Sequence, residues 1–126
     1  NRVEPGKRPR SSMSPTIVLK DGLPNLVIGS PGGSRIIGYV AQAIVAHIDW
    51  GMDVQAAVSI PHAVNRFGTF DLEKGTSLEN MVEPLEALGY KVNLRGLNSG
   101  LHAISIAKGG LTGGADPRRE GIALGQ

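Results

Sequence analysis

Two β-branched runs, Thr16–Lys20 (TIVLK) and Asn25–Ser30 (NLVIGS), flank Asp21-Gly22, and the second leads straight into Ser30-Pro31-Gly32-Gly33-Ser34-Arg35. Asp-Gly between apolar runs is a hairpin signal, because the tight turn needs residues that accept positive φ. Pro24 blurs where the second strand begins, since proline cannot donate to a ladder. Ile17-Val18-Leu19 and Leu26-Val27-Ile28 are nearly continuous apolar runs, the pattern of strands covered on both faces. After Arg35, the residues Ile37, Val40, Ala41, Ile44, Val45 and Ile48 recur at helical spacing. That predicts a helix to about residue 49, ended by Gly51.

Further along, Asp53 can cap a second short helix through Ala57 to about Ile60, stopped by Pro61. Phe67–Glu73 reads as a short strand. Thr76 and Glu79 have capping-box spacing and open a helix to Leu88 that Gly89 ends. Pro84 inside it predicts a kink or a late start. Tyr90–Leu94 and Leu101–Ala107 read as strands flanking an Asn98-Ser99-Gly100 turn. Lys108-Gly109-Gly110 turns into a last strand near Leu111–Gly114. The order β-β-α-α-β-α-β-β-β, with grouped helices, predicts an α+β fold: a mostly antiparallel sheet covered by helices, not a doubly wound parallel one.

The 126 residues are one domain's worth, with residues 1–14 as an extended basic arm. Arg2, Lys7, Arg8 and Arg10 against Glu4 make that arm the source of the +2 net charge. Nucleic-acid binders carry a broader basic face and aromatic stacking platforms, and only five residues here are aromatic. No nucleic-acid partner is expected. With no cysteine, disulfides, thiolate catalysis and cysteine-based zinc sites are excluded, and the compartment stays open. No apolar run approaches the ~20 residues of a transmembrane helix.

The strongest local feature for chemistry is the strand, Ser30–Arg35, helix sequence. The first turn of a helix has amides without intrahelical partners and a positive dipole end. Gly32 and Gly33 let such a backbone approach a ligand, which suits an anion or a developing oxyanion. The ordinary alternative is a tight turn with Ser34 as helix cap. Ser11 and Ser12, beside Arg10, can hold a carboxylate, or can simply satisfy loop backbone. His47, His62 and His102 lack metal-ligand spacing, and neither a metal nor another cofactor is called for. His47 reads as a surface residue compensating the helix dipole, and Trp50 as packing the helix end. Asp116-Pro117-Arg118 is either a buried ion-pair corner or a solvated tail.

Taken together, three segments resemble one family. Pro5–Val18 (PGKRPRSSMSPTIV), Gly29–Ile36 (GSPGGSRI) and Gly114–Arg118 (GADPR) resemble signature stretches of the γ-glutamyltransferases, or γ-glutamyltranspeptidases, in matching order and spacing. The resemblance covers essentially the whole chain. It implies part of a four-layer αββα sandwich of the N-terminal-nucleophile hydrolases, made by self-cleavage of a precursor into large and small subunits. It implies transfer of the γ-glutamyl group of glutathione, or of a related γ-glutamyl amide, to water, an amino acid or a peptide. Ser11 and Ser12 would then bond the α-carboxylate of that group, and the amides of Gly32 and Gly33 would form the oxyanion hole. The family's nucleophilic threonine lies upstream of these motifs. Asn1 therefore falls inside the small subunit, and the chain alone is expected to be inactive. The partners implied are the large subunit and the rest of the small one, in a periplasmic or extracellular setting. Related members act on other amides, as cephalosporin acylases or poly-γ-glutamate processing enzymes, and a noncatalytic binding module is a further alternative. Many relatives carry Pro-Arg where this chain has Pro61-His62, with Arg66 nearby as a candidate substitute.

Overall fold

The computed structural model describes residues 2–125; Asn1, which the resemblance places in mid-subunit, and Gln126 lie outside the described residues. The hairpin forms as expected. Strands β1 (Thr16–Lys20) and β2 (Leu23–Gly29) pair antiparallel. Asp21 and Gly22 turn between them at φ 53° and 78°, the double positive φ of a two-residue hairpin turn. Pro24 is accommodated because the register shifts between Val18 and Leu19, and because pairing of β2 with its other neighbour begins only at Leu26.

The remaining elements are α1 (Ile36–Ile48), α2 (Val54–Ser59), β3 (Ala63–Arg66), β4 (Thr69–Glu73), α3 (Val82–Ala87), β5 (Lys91–Arg95), β6 (His102–Ala107) and β7 (Gly110–Ala115). The larger sheet has the order β1-β2-β6-β7 and is antiparallel throughout. Leu26, Ile28 and Ala103 on its inner face form the core with Ile36, Tyr39, Val40, Ala43, Val54 and Val58 of the first two helices. Asp53 caps α2 by accepting from the Ala56 amide at 3.0 Å. Gly114 on β7 approaches α2 so closely that an added Cβ would lie 2.8 Å from the Val54 carbonyl oxygen.

Among the described residues the larger sheet is covered on its inner face, and on the other face Ile17, Leu19, Val27 and Ile104 are 63, 59, 37 and 45% exposed. The described helices reach only the inner face. Three expectations need correction. The long helix is rotated relative to the expected stripe. Ile36, Tyr39, Val40, Ala43 and Ala46 are buried, while Ile37, Ala41, Val45 and Ile48 are exposed. The helix is apolar nearly all round, and the stripe that is buried is the one packed with Leu26, Ile28 and Ala103 of the larger sheet. Gly38 lies on a different side of the helix and admits Val64 of β3, which a Cβ there would meet at 2.8 Å.

Phe67 is not in a strand. It forms, with Gly68, the φ 54° and 83° turn of a β3–β4 hairpin. The third helix takes the late start that Pro84 predicts, beginning at Val82 after a 3-10 segment over Ser77–Met81. Pro84 therefore falls in its first turn, where a missing N–H matters little. Finally, β5 and β6 are not a hairpin. The second sheet is β3-β4-β5, with β5 parallel to β4 through the α3 crossover. Asn98-Ser99-Gly100 carries the chain from one sheet to the other, and Ser99 is fully buried.

Candidate functional site

The Ser30–Arg35 segment leaves β2 and enters α1 through a 3-10 turn over Gly33–Arg35. Gly32 has φ 141° and Gly33 φ 62°, so both sit where L side chains are strained. The Arg35 amide closes the turn on the Gly32 carbonyl at 3.2 Å. Ser34 makes no capping bond to the helix start, so the turn does not depend on a side-chain cap. The amides at the head of the turn have no intrahelical acceptor and share the positive end of the α1 dipole.

Ser12 lies against this turn. Its amide and its hydroxyl both donate to the Gly33 carbonyl, at 3.1 and 3.0 Å. A Cβ on Gly33 would meet the Arg10 carbonyl oxygen at 3.6 Å, so residues 10–12 pass beside Gly33. Ser11 is the exposed neighbour. The structure thus brings together the four residues singled out in the sequence: Ser11, Ser12, Gly32 and Gly33.

Two buried polar groups flank the turn. Arg35 donates through Nε to Asp71 on β4 at 2.8 Å, and Asn93 on β5 donates to the other Asp71 oxygen at 2.9 Å. Burial pushes the Asp71 carboxyl up, but the bonds from Asn93 and Arg35 outweigh it and hold it below its ordinary value. The second group resolves the choice at the C-terminal motif in favour of a buried ion-pair corner. Arg118 donates to Glu73 at 2.6 and 2.8 Å, to Asp116 at 3.0 Å, and to the Ile60 carbonyl at 2.8 Å. Ser99 donates to Asp116, and the Leu101 amide donates to the same carboxylate oxygen at 3.1 Å.

His62 closes this second group. Its backbone amide donates to Glu73 at 2.8 Å, and its Nε2 lies 2.6 Å from the Ser99 hydroxyl oxygen. Because the Ser99 proton goes to Asp116, Nε2 is the protonated nitrogen of the neutral ring. The cation at this corner is Arg118; Arg66 ends β3 beside the hairpin turn instead. This network was hard to find in the sequence. Its members come from four separate segments, of which the sequence marks only Pro61-His62 and Asp116-Pro117-Arg118.

The His62 ring is fully buried. Burial, reinforced by Arg118, pushes its pKa down to about 4. The unfolded ring titrates near 6.5 and so takes up its proton first as pH falls. Stability contributed by neutral His62 is therefore present above about pH 6.5 and is lost on acidification toward pH 4. The loss is about 3 kcal/mol at most. Glu73 and Asp116, each held low by bonds that outweigh burial, add further loss below that window. Denaturant titrations should show stability falling between pH 6.5 and 4, with His62→Gln flattening the slope. An unchanged slope in His62→Gln would show that this ring is not the titrating group.

The other histidines have local work. His47 is not a free surface residue: Nδ1 lies 2.7 Å from the Met52 carbonyl oxygen and Nε2 3.1 Å from the Ser105 hydroxyl, tying the end of α1 to β6. Trp50 is 63% exposed and does not seal the helix end.

The family model for gamma-glutamyltranspeptidase matches residues 1–126. A glutathione hydrolase proenzyme of Escherichia coli (strain K12) is 46% identical over 121 residues, covering 94% of this chain and 21% of that protein. An acylase ACY 1 proenzyme of Pseudomonas sp. (strain SE83) is 37% identical, covering 94% of this chain and 22% of that protein. A solved gamma-glutamyltranspeptidase from Pseudomonas nitroreducens, complexed with L-DON, superposes at a TM-score of 0.81 with 31% identity. It covers 100% of this chain and 68% of its own. The chain thus spans roughly a fifth of the curated relatives it matches, and among the described residues no helix is long and apolar enough to cross a membrane.

Proposed function

The chain belongs to the γ-glutamyltranspeptidase family, and on that premise we propose that it is the C-terminal part of the small subunit of an enzyme that transfers γ-glutamyl groups. The donor is glutathione or a related γ-glutamyl amide, and the acceptor is water, an amino acid or a peptide. The nucleophile is a threonine supplied from outside this chain, activated by its own amine. What this chain supplies is substrate holding and charge stabilisation. Ser11 and Ser12 bind the α-carboxylate of the γ-glutamyl group. The amides of Gly32 and Gly33 take the negative charge that develops on the scissile carbonyl oxygen as the tetrahedral intermediate forms.

One observation carries this reading: the two bonds from Ser12 to the Gly33 carbonyl. They hold Ser12 beside the Gly32–Gly33 turn, which supports a reading in which one substrate spans both. The Ser12 hydroxyl proton, now on Gly33, must turn to the carboxylate on binding, while the backbone bond keeps the register. The exposed outer face of the larger sheet, with Ile17, Val27 and Ile104, is where the remainder of the small subunit and the large subunit pack. The family setting is periplasmic or extracellular.

The test is Ser11→Ala with Ser12→Ala in the full-length enzyme. Bonds to a charged partner are worth about 1.5–3 kcal/mol each, so KM for γ-glutamyl-p-nitroanilide should rise more than about tenfold. A normal KM together with a normal kcat would sink the carboxylate assignment. The likeness to an acylase proenzyme supports a second reading, cleavage of a different amide. Preference for a glutaryl amide over the γ-glutamyl anilide would favour it, because glutaryl keeps the terminal carboxylate but lacks the α-amine.

A further inference from the structure

We propose that Tyr39 is the positioning residue of the Gly32–Gly33 turn: its ring, backed by His62, is the wall that sets the Gly32 backbone and so aims the two amides. This rests on the reading of that turn as an oxyanion hole. Tyr39 is one turn into α1 and fully buried. Its ring lies so close to Gly32 that an added Cβ would be 2.7 Å from Cε2 and 3.1 Å from Cδ2. Gly32, at φ 141°, is thus held against a flat surface that no side chain could share.

The wall is itself immobilised. The His62 ring packs on Tyr39 with centroids 4.3 Å apart and planes tilted by 33°. His62 is held by Glu73 and by Ser99, and Ser99 by Asp116. The next residue, Gly100, donates its amide to the Ser30 hydroxyl at 3.2 Å. Pro31 packs on Gly100 so closely that a Cβ there would be 2.8 Å from Cγ. The segment that fixes the back of the wall therefore also fixes the start of the turn. Arg35 completes the frame by anchoring the far end of the turn to Asp71.

The Tyr39 hydroxyl is buried with no hydrogen-bond partner among the described residues. Leaving such a group unmatched is costly, so the hydroxyl gives no account of why the residue is held here. The flat ring does. The ring's shape and rigidity, not its polar tip, are what the turn uses.

The experiment compares Tyr39→Phe, Tyr39→Leu and Gly33→Val in the full-length enzyme, with γ-glutamyl-p-nitroanilide and a melting curve for each. A sub-ångström loss of aim acts on the transition state more than on binding. Tyr39→Leu should lower kcat at least tenfold while KM stays within about threefold. Tyr39→Phe should keep kcat within twofold and melt no lower than the parent. Folded Tyr39→Leu with parental kcat, beside a crippled Gly33→Val, overturns the positioning role and leaves the oxyanion hole standing. Parental kcat in Gly33→Val overturns the oxyanion hole and the positioning role with it. Loss in Tyr39→Phe equal to that in Tyr39→Leu also overturns the proposal, because the hydroxyl would then be the active group. If Tyr39→Leu does not fold, Tyr39→Met offers an unbranched, adaptable side chain without the flat wall and is read by the same criteria.

Discussion

Gly33→Val should reduce kcat about 10²–10³-fold in the full-length enzyme, the usual cost of one oxyanion donor, with a much smaller change in KM. Gly33 has φ 62°, which a β-branched residue adopts only with strain of about 1–3 kcal/mol. Space is not the first obstacle, since a Cβ would meet only the Arg10 carbonyl oxygen at an ordinary 3.6 Å. Relief of that strain requires the peptide units on either side to rotate. Those units carry the amide assigned to the oxyanion and the carbonyl that accepts both Ser12 bonds. Initial-rate kinetics with γ-glutamyl-p-nitroanilide separate the two effects. A folded variant with kcat within a few-fold of the parent would remove the oxyanion role from this turn.

The second large effect concerns stability. Arg118→Met should destabilise the protein by about 3–5 kcal/mol near neutral pH, the cost of stranding a buried charge. Arg118 is the shared cation of Glu73 and Asp116, whose side chains are only 11 and 0% exposed. Burial works against the charge on all three groups, and mutual bonding outweighs it, so the carboxyls stay low and the guanidinium high. Without Arg118, Glu73 keeps the His62 amide bond and Asp116 keeps those from Ser99 and the backbone amides, but burial weighs more and both carboxyl pKa values rise above those of the parent. Their protonation as pH falls then offsets part of the loss relative to the parent, so the deficit should shrink as pH is lowered from 8 to 5. Denaturant melts at both values test this. A loss under about 1 kcal/mol at pH 8 would show that the corner is solvated rather than closed.

Much of this molecule is legible along the chain because its physics is local. Asp21-Gly22 turns wherever two apolar runs meet it, Asp53 caps its own helix, and Thr16–Lys20 is a strand to the residue. Two adjacent glycines ahead of a helix announce free amides without reference to anything distant. The three motif segments, read in order, were enough to identify the family. What the chain could not disclose was every choice between equivalents. Apolar residues run nearly all round the helix, and only its packing with Leu26, Ile28 and Ala103 of the larger sheet selects the stripe that is buried. Phe67 looked like a strand residue because aromatic side chains favour strands, yet it occupies a hairpin turn and is 97% exposed. The strand after α3 could have paired with either neighbour, and it joined β4 in parallel.

The site divides in the same way. Ser11, Ser12, Gly32 and Gly33 were recognisable from residue type and family motif, because each motif is contiguous. That Ser12 bonds Gly33 across 21 positions, and that Tyr39, His62, Ser99, Asp116 and Arg118 form one buried support beneath the turn, was decided only by tertiary structure. Turns and caps are set by interactions spanning a few residues, so composition and spacing reveal them. A buried polar network becomes favourable only when every member is matched at once inside a low-dielectric core, and that matching exists only after the two sheets and their helices have closed around it.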